Sequence, residues 1–405
     1  MRHPGNSTTA AQDRRYVTAL ARGMDLLHCF RWGERWLPHQ ELTRRSGLPK
    51  ATGPAYRIDP SVPVQGYQGQ FTVHTDAGDV AADGSDMLRQ RVAEVGPTQE
   101  LQKLSQSDVF VDALAKSAAG GVKAVGRAVT NPVETVKAVP AGVGRFFRSV
   151  GESVSSAGDG DAGEATKDAL GINKAKRELA RKVGVDPYTT NPQLAARLDE
   201  LANAAFAGGV SIDVALAVST AGVAAAVSMT KTVSNLAWEL PPEDVKKRND
   251  AELAALKVDE ATRAKLLGNR WFTPTLALSY VEATKALGKS SGANAFTALA
   301  AGAASESEAR FFVAQLRLAQ RYGKEGDAIA DVIILGKVGA FRTASGKTFV
   351  AAPLDYLSYS EGVKAFLENN RSGKRVVWFR GKASPATATQ LRATGWSVRE
   401  NVAVE

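Results

Sequence analysis

The step that most constrains this chain is Gly53-Pro54, which falls directly behind a helix-patterned run. Upstream, Val17, Leu20, Ala21, Met24, Leu27 and His28 recur at i, i+3, i+4, i+7, i+10 and i+11. That spacing predicts a helix of about four turns with one mostly apolar face. Trp32-Gly33 ends it. A second helix opens with Pro38 in its first turn, where a missing N–H costs nothing, and carries Gln40, Glu41, Leu42, Arg44 and Arg45. Gly47 suits its left-handed cap, and Leu48-Pro49-Lys50-Ala51-Thr52 starts a third helix. Proline lacks a donor and disfavours helical geometry in the residue before it. The third helix is therefore expected to stop after about one turn.

Two helices joined by a tight glycine turn form a unit that reads DNA, with the second helix in the major groove. The candidate DNA contacts are Arg22, Arg44, Arg45, Lys50 and Thr52. Residues 1–52 hold nine Lys and Arg against four Asp and Glu, so more than half of the chain's net charge of +9 lies there. Such clustering suits phosphate contact and predicts salt-dependent affinity for duplex DNA, with an ordinary solvated basic surface as the competing explanation.

The wording of this segment is also specific. Tyr16-Val17-Thr18-Ala19-Leu20-Ala21-Arg22-Gly23, Cys29-Phe30, Glu41-Leu42 and Gly47 to Thr52 resemble the N-terminal domain of IclR-family bacterial regulators, closest to the branch controlling aromatic-acid catabolism. The resemblance covers residues 14–52, roughly an eighth of the chain. It implies a winged helix-turn-helix, transcription regulation and DNA reading as a homodimer. In that family the third helix continues and a β-wing and an effector domain follow, whereas here the sequence turns to Gly53-Pro54.

Several classes are excluded by what is scarce. Cys29 is the only cysteine, so neither a disulfide framework nor a thiolate metal site can form within the chain. The four histidines, His3, His28, His39 and His74, all lie in the first fifth, which leaves the remainder without a His-based triad or His-rich metal site. No catalytic, cofactor or metal residues are assigned. Met1 to Gln12 is polar and lacks the apolar stretch of a signal peptide, so a cytoplasmic location is expected. Hydrophobic residues make up 44% but aromatics only 7%, so the core must rely on Ala, Val and Leu.

The expected fold is mixed, mainly α with a C-terminal α/β unit. Its divisions are a partial helix-turn-helix (1–52), a strand hairpin plus helices (53–151), a linker (152–166), a helical domain (167–325) and the α/β unit (326–405). Gly69 to Thr75 alternates as a strand before a turn at Asp76-Ala77-Gly78. Asp86 to Leu114 reads helical, with Leu88, Val92, Val95, Leu101, Leu104 and Phe110 buried. Gly184 to Pro192 is a rigid loop that either offers Tyr188 at its tip or forms an elbow between helices, and Asn191-Pro192 opens the next helix. Residues 201–230 are almost wholly small and uncharged. A packed hairpin is expected there, with membrane contact the minority reading.

Pro241 to Gln320 reads helical, with Phe311, Phe312, Leu316 and Leu318 as a core strip. Strands are expected at Ala330–Val338, Lys347–Leu354, Arg375–Arg380 and Trp396–Val404, with helices at Ser360–Asn369 and Ser384–Thr394 and part of the sheet parallel. Gly346-Lys347-Thr348 lacks the glycine five residues earlier that a phosphate loop needs, and Gly336 to Gly339 reads as a hairpin turn. Asp331, Asp355 and Arg380 sit at strand ends, where α/β sheets often bind ligands, but without a partner base or metal set they read as ordinary polar residues.

From Ala55 onward the chain is similar to an uncharacterised bacterial family through Ala55-Tyr56-Arg57-Ile58-Asp59-Pro60, Gly184-Val185-Asp186-Pro187-Tyr188 and Gly381-Lys382-Ala383-Ser384-Pro385. That resemblance implies no assigned activity and, for many members, export. Three readings follow. The first is a DNA-binding regulator; the second is a non-enzymatic, envelope-associated body behind a vestigial front. The third, a hydrolase or transferase, has the least support because no nucleophile–base pair stands out.

Overall fold

The computed structural model describes residues 49–59, 62–65, 67–106, 162–208, 229–288 and 290–402, with the backbone alone at 162–169 and 207–208. The two helices expected before Pro49 lie outside the described residues. So do Phe110, the segment 107–161 that contains most of the expected linker, and most of the small-residue run at 201–230.

The third helix expected from Pro49 is absent. Thr52–Gly53 is instead a strand, β1, antiparallel to β2 (Tyr56–Ile58), with Thr52 opposite Arg57 and Gly53 opposite Tyr56. Pro54-Ala55 makes the two-residue turn between them. Proline's fixed φ favours such a turn and prevents the helix from continuing. The N–H of Ile58 donates to the carbonyl of Ala51 at 2.7 Å, so the sheet includes residues ahead of Gly53.

The hairpin follows the alternation in the sequence. β3 (Val64–Gln65), β4 (Gln68–Thr75) and β5 (Gly78–Asp83) pair antiparallel around β4, and Thr75 faces Gly78 across the Asp76-Ala77 turn. Phe71, Val73 and Ala82 point inward and pack on Met87, Leu88 and Val95 of α1 (Ser85–Ser105), and Val80 is also buried. Leu88, Val95 and Leu101 are buried as expected, and Val92 and Leu104 are partly buried.

The middle is helical: α2 (Ala162–Val183), α3 (Pro192–Gly208), α4 (Lys231–Glu239), α5 (Pro242–Ala255), α6 (Glu260–Gly268), α7 (Pro274–Ala286), α8 (Ala293–Ala300) and α9 (Glu306–Lys324). Thr230, Asp259, Thr273 and Ser305 each cap a helix by accepting an N–H from its first turn, and prolines open α5 and α7. Asn191 caps α3 in the same way, with its Oδ1 accepting from the N–H groups of Gln193 and Leu194. The Gly184–Pro192 loop is an elbow. Tyr188 is buried in it, stacked among Val233, Ala237, Val245 and Leu278. Leu316 and Leu318 are fully buried on α9, while Phe311 and Phe312 are only half-buried.

The C-terminal sheet has five strands in the order β12-β10-β8-β7-β6. They are β6 (Ile329–Leu335), β7 (Val338–Thr343), β8 (Thr348–Ala352), β10 (Arg375–Phe379) and β12 (Trp396–Arg399). The last three are mutually parallel; β6, β7 and β8 run antiparallel. The expected single strand at 330–338 ends at Leu335 and turns at Gly336-Lys337, and β7 is an additional strand. α10 (Glu361–Asn369) and α11 (Pro385–Ala393) make the crossovers. Alternate residues sort the faces. Val350, Ala352, Val377 and Phe379 pack under α10 and α11, while Phe349, Ala351 and Trp378 face α9 and the other helices. The sheet is thus sandwiched between helical layers. A two-stranded parallel pair, β9 (Tyr356–Leu357) with β11 (Lys382–Ala383), extends beyond β8 and β10.

Candidate functional site at the parallel strand ends

Open α/β sheets take ligands in the crevice beyond the carboxyl ends of their parallel strands. In this chain those ends are Ala352 and Phe379, and the residues just past them, Pro353 to Asp355 and Arg380-Gly381, meet the hairpin and the start of α1. Asp355 is buried. Its carboxylate accepts from the N–H of Gly69 at 2.9 Å and from the N–H of Ser85 at 3.0 Å, so it acts as a cap for α1 supplied from the distant sheet. Burial pushes its carboxyl up, against the lowering effect of these donors and of Arg89. In return, the carbonyl of Tyr67 accepts from the N–H groups of Asp355 (3.1 Å) and Tyr356 (3.3 Å), and the amide of Gln68 donates to the Pro353 carbonyl at 3.3 Å.

Two backbone positions make this contact possible. Gly84 has φ +90°, a left-handed conformation that glycine adopts without strain, and it turns β5 into α1. A Cβ on Gly381 would collide with the Asp355 carbonyl. Tyr67 also has a positive φ, +69°, which is costly for an aromatic residue and is held by the two bonds to its carbonyl.

Arg380 completes the junction. Its side chain is only 8% exposed and forms an ion pair with Asp86 in the first turn of α1. Burial draws its guanidinium down to about 9. Beside it is a small cleft lined by Gln68, Asp83, Asp86, Ser307, Arg310 and Arg380, among others. Asp83, raised by burial and then by the Glu306 charge, and Arg310, bonded to Glu306 at 2.7 Å, belong to its wall.

A buried polar network lies deeper along α1. Glu94 accepts from Gln90 (2.8 Å), Arg91 (3.0 Å), Thr189 (2.8 Å) and Asn191 (2.9 Å). The Arg91 guanidinium also reaches the Thr190 hydroxyl at 2.6 Å and lies 3.9 Å from Glu306. Asp186, on the same elbow, accepts from the N–H of Tyr188 and the hydroxyl of Thr275, yet burial lifts its carboxyl to about 6. These bonds join α1, the elbow, α7 and α9.

On the hairpin surface, Asp79 and Asp59 flank His74, with Nδ1 2.7 Å from Asp79 and Nε2 3.0 Å from Asp59.

Of the residues picked from the sequence, Arg22, Arg44 and Arg45 lie outside the described residues. Lys50 and Thr52 are exposed, and Thr52 belongs to β1, so neither sits on a recognition helix. Asp355 and Arg380 are brought to one junction. Asp331 is elsewhere: it accepts from Ser291 Oγ at 2.5 Å, from Ser290 Oγ and from the N–H of Val332 at 2.9 Å, pinning the loop before α8 against edge strand β6. Burial raises its carboxyl, but these donors outweigh that and hold it at about 2. Sequence reading missed Asp86, Arg91, Glu94 and Glu306. Arg91, Glu94 and Glu306 are charged side chains on core-facing helix positions, which is their only signal, and Asp86, half-buried at the start of α1, carries none. Among the described residues, no group of three His, Cys, Asp or Glu is placed to hold a metal, and no helix is long and apolar enough to cross a membrane.

Comparison of the chain with protein-family models, curated proteins and solved structures finds no match in any of the three.

Proposed function

We propose that this is a non-enzymatic binding protein whose working part is the body from Pro49 onward, and that the IclR-like front does not read DNA by the family's mode. The observation that carries this reading is β1. Thr52 is strand-paired to Arg57 at the point where a recognition helix would need several further turns. The body supports it as well, because the polar groups at its strand ends hold segments of the chain together: Asp355 bonds backbone N–H groups and Arg380 pairs with Asp86. Neither carries the nucleophile–base pairing that acyl or phosphoryl transfer would use.

The second reading, a DNA-binding regulator working as a dimer through Arg22, Arg44, Arg45, Lys50 and Thr52, is favoured by the charge of residues 1–52 and by the exposure of Lys50 and Thr52. Fluorescence-anisotropy titration of the full chain with duplex DNA separates the two. The binding-body reading expects only weak, sequence-independent association that disappears at moderate salt. Tight binding to one duplex, lost in Arg44→Ala/Arg45→Ala, would restore the regulator.

A further inference from the structure

The cleft beside Arg380 has the chemistry of an oxyanion site that is already in use by the chain itself. Two helix N-termini open on it: that of α1, at Gly84 and Asp86, and that of α9, at Ser307. Each brings the positive end of a helix dipole to the cleft. Arg310 and Arg380 line the same cleft. The Arg380 side chain is only 8% exposed, and its Nε has no hydrogen-bond partner. A buried guanidinium nitrogen with nothing to donate to is a costly feature that an acceptor in the cleft would relieve.

Asp86 now provides the acceptor for the other side of that guanidinium. Its side chain is 32% exposed and Arg89 also reaches it at 3.7 Å, so in the proposed site it rotates toward solvent beside Arg89 and uncovers Arg380. The geometry points to a binding site for the carboxylate of a small ligand, received by Arg380 with Arg310 and the two helix starts, in which the Asp86 carboxylate is the built-in competitor. The ligand class follows from the walls. The fork of a guanidinium matches a planar carboxylate, and Asp86 shows that a carboxylate reaches it. Asp83 in the wall and Glu306 behind Arg310 oppose a second negative charge, which disfavours a phosphate dianion.

This site rests on the reading of the body as a binding unit, and it is tested without reference to DNA. The full chain and its Asp86→Asn variant are titrated with acetate, and in parallel with inorganic phosphate, following the side-chain Nε–H resonances of arginine by NMR. Asp86→Asn is expected to bind acetate saturably and at least tenfold more tightly than the unmodified chain, with phosphate the weaker ligand. Adding Arg380→Gln should abolish the response, and Arg380→Lys, which keeps the charge, should weaken it while preserving the fold. Acetate affinity unchanged by Asp86→Asn, or binding that survives Arg380→Gln, overturns the site; phosphate binding more tightly than acetate overturns the ligand class. DNA binding through residues 1–52 would overturn the reading of the body and leave this titration's outcome untouched, so the two failures are distinguishable.

Discussion

Replacing Glu94 with alanine should be among the most damaging single changes in the body. The carboxylate is 2% exposed and accepts four side-chain hydrogen bonds, from Gln90, Arg91, Thr189 and Asn191. Removing it leaves Arg91, 3% exposed, as a buried cation with Glu306 at 3.9 Å and the hydroxyls of Thr190 at 2.6 Å and Thr189 at 3.5 Å to compensate. Breaking a buried ion pair from one side costs about 3–5 kcal/mol. Because Glu306 remains, the lower part of that range applies, and a loss of about 3–4 kcal/mol is expected. With a urea slope of about 2–3 kcal/mol/M, the unfolding midpoint should fall by about 1–2 M at unchanged slope. Arg91→Ala/Glu94→Ala together should lose clearly less than the sum of the single losses, since the second removal no longer strands a charge. A midpoint shift below about 0.3 M for Glu94→Ala would refute the view that this network ties α1 to the elbow.

Two pH effects should accompany it. Hydrogen bonds to Asp79 and then Asp59 raise His74, so its contribution is fully present below its unfolded pKa and is lost as pH rises through the higher folded value. Thermal melts on the alkaline side of neutrality should fall in the parent but stay level in His74→Gln, and an imidazole NMR titration midpoint at or below the ordinary histidine value would contradict this. Asp186 acts in the same direction over a lower pH range: its folded carboxyl, lifted to about 6, binds a proton that the unfolded chain releases near 4, so stability falls as pH rises between those values. Asp186→Asn should flatten that part of the stability profile, and an undiminished slope in the variant would rule Asp186 out as its source.

Much of the architecture was legible in local pattern. The period-2 run at Gly69–Thr75, the Asn191-Pro192 start and the Ser360 and Ser384 caps each specify an element through contacts within a few residues. β7 has little local signal: the glycines at 336 and 339 mark only a turn, and Val338 to Thr343 is a short apolar run. Thr52 was misplaced for a different reason. Leu48-Pro49-Lys50 has the residues of a helix start, but the Gly53-Pro54 turn and pairing with Arg57 decide its state. The junction was the least legible part, because its pairs join residues far apart in the chain, Gly69 with Asp355 and Asp86 with Arg380, and no local spacing encodes them.

The claim on which the rest depends is that the chain's own hairpin and helix start fill the crevice beyond β8 and β10. Native-state hydrogen exchange of the Gly69 and Ser85 amides, both donors to Asp355, tests it most directly. If this segment is part of one cooperative body, both amides should exchange as slowly as those in the middle of β10. Exchange orders of magnitude faster, at the pace of an exposed loop while β10 stays protected, would contradict the account.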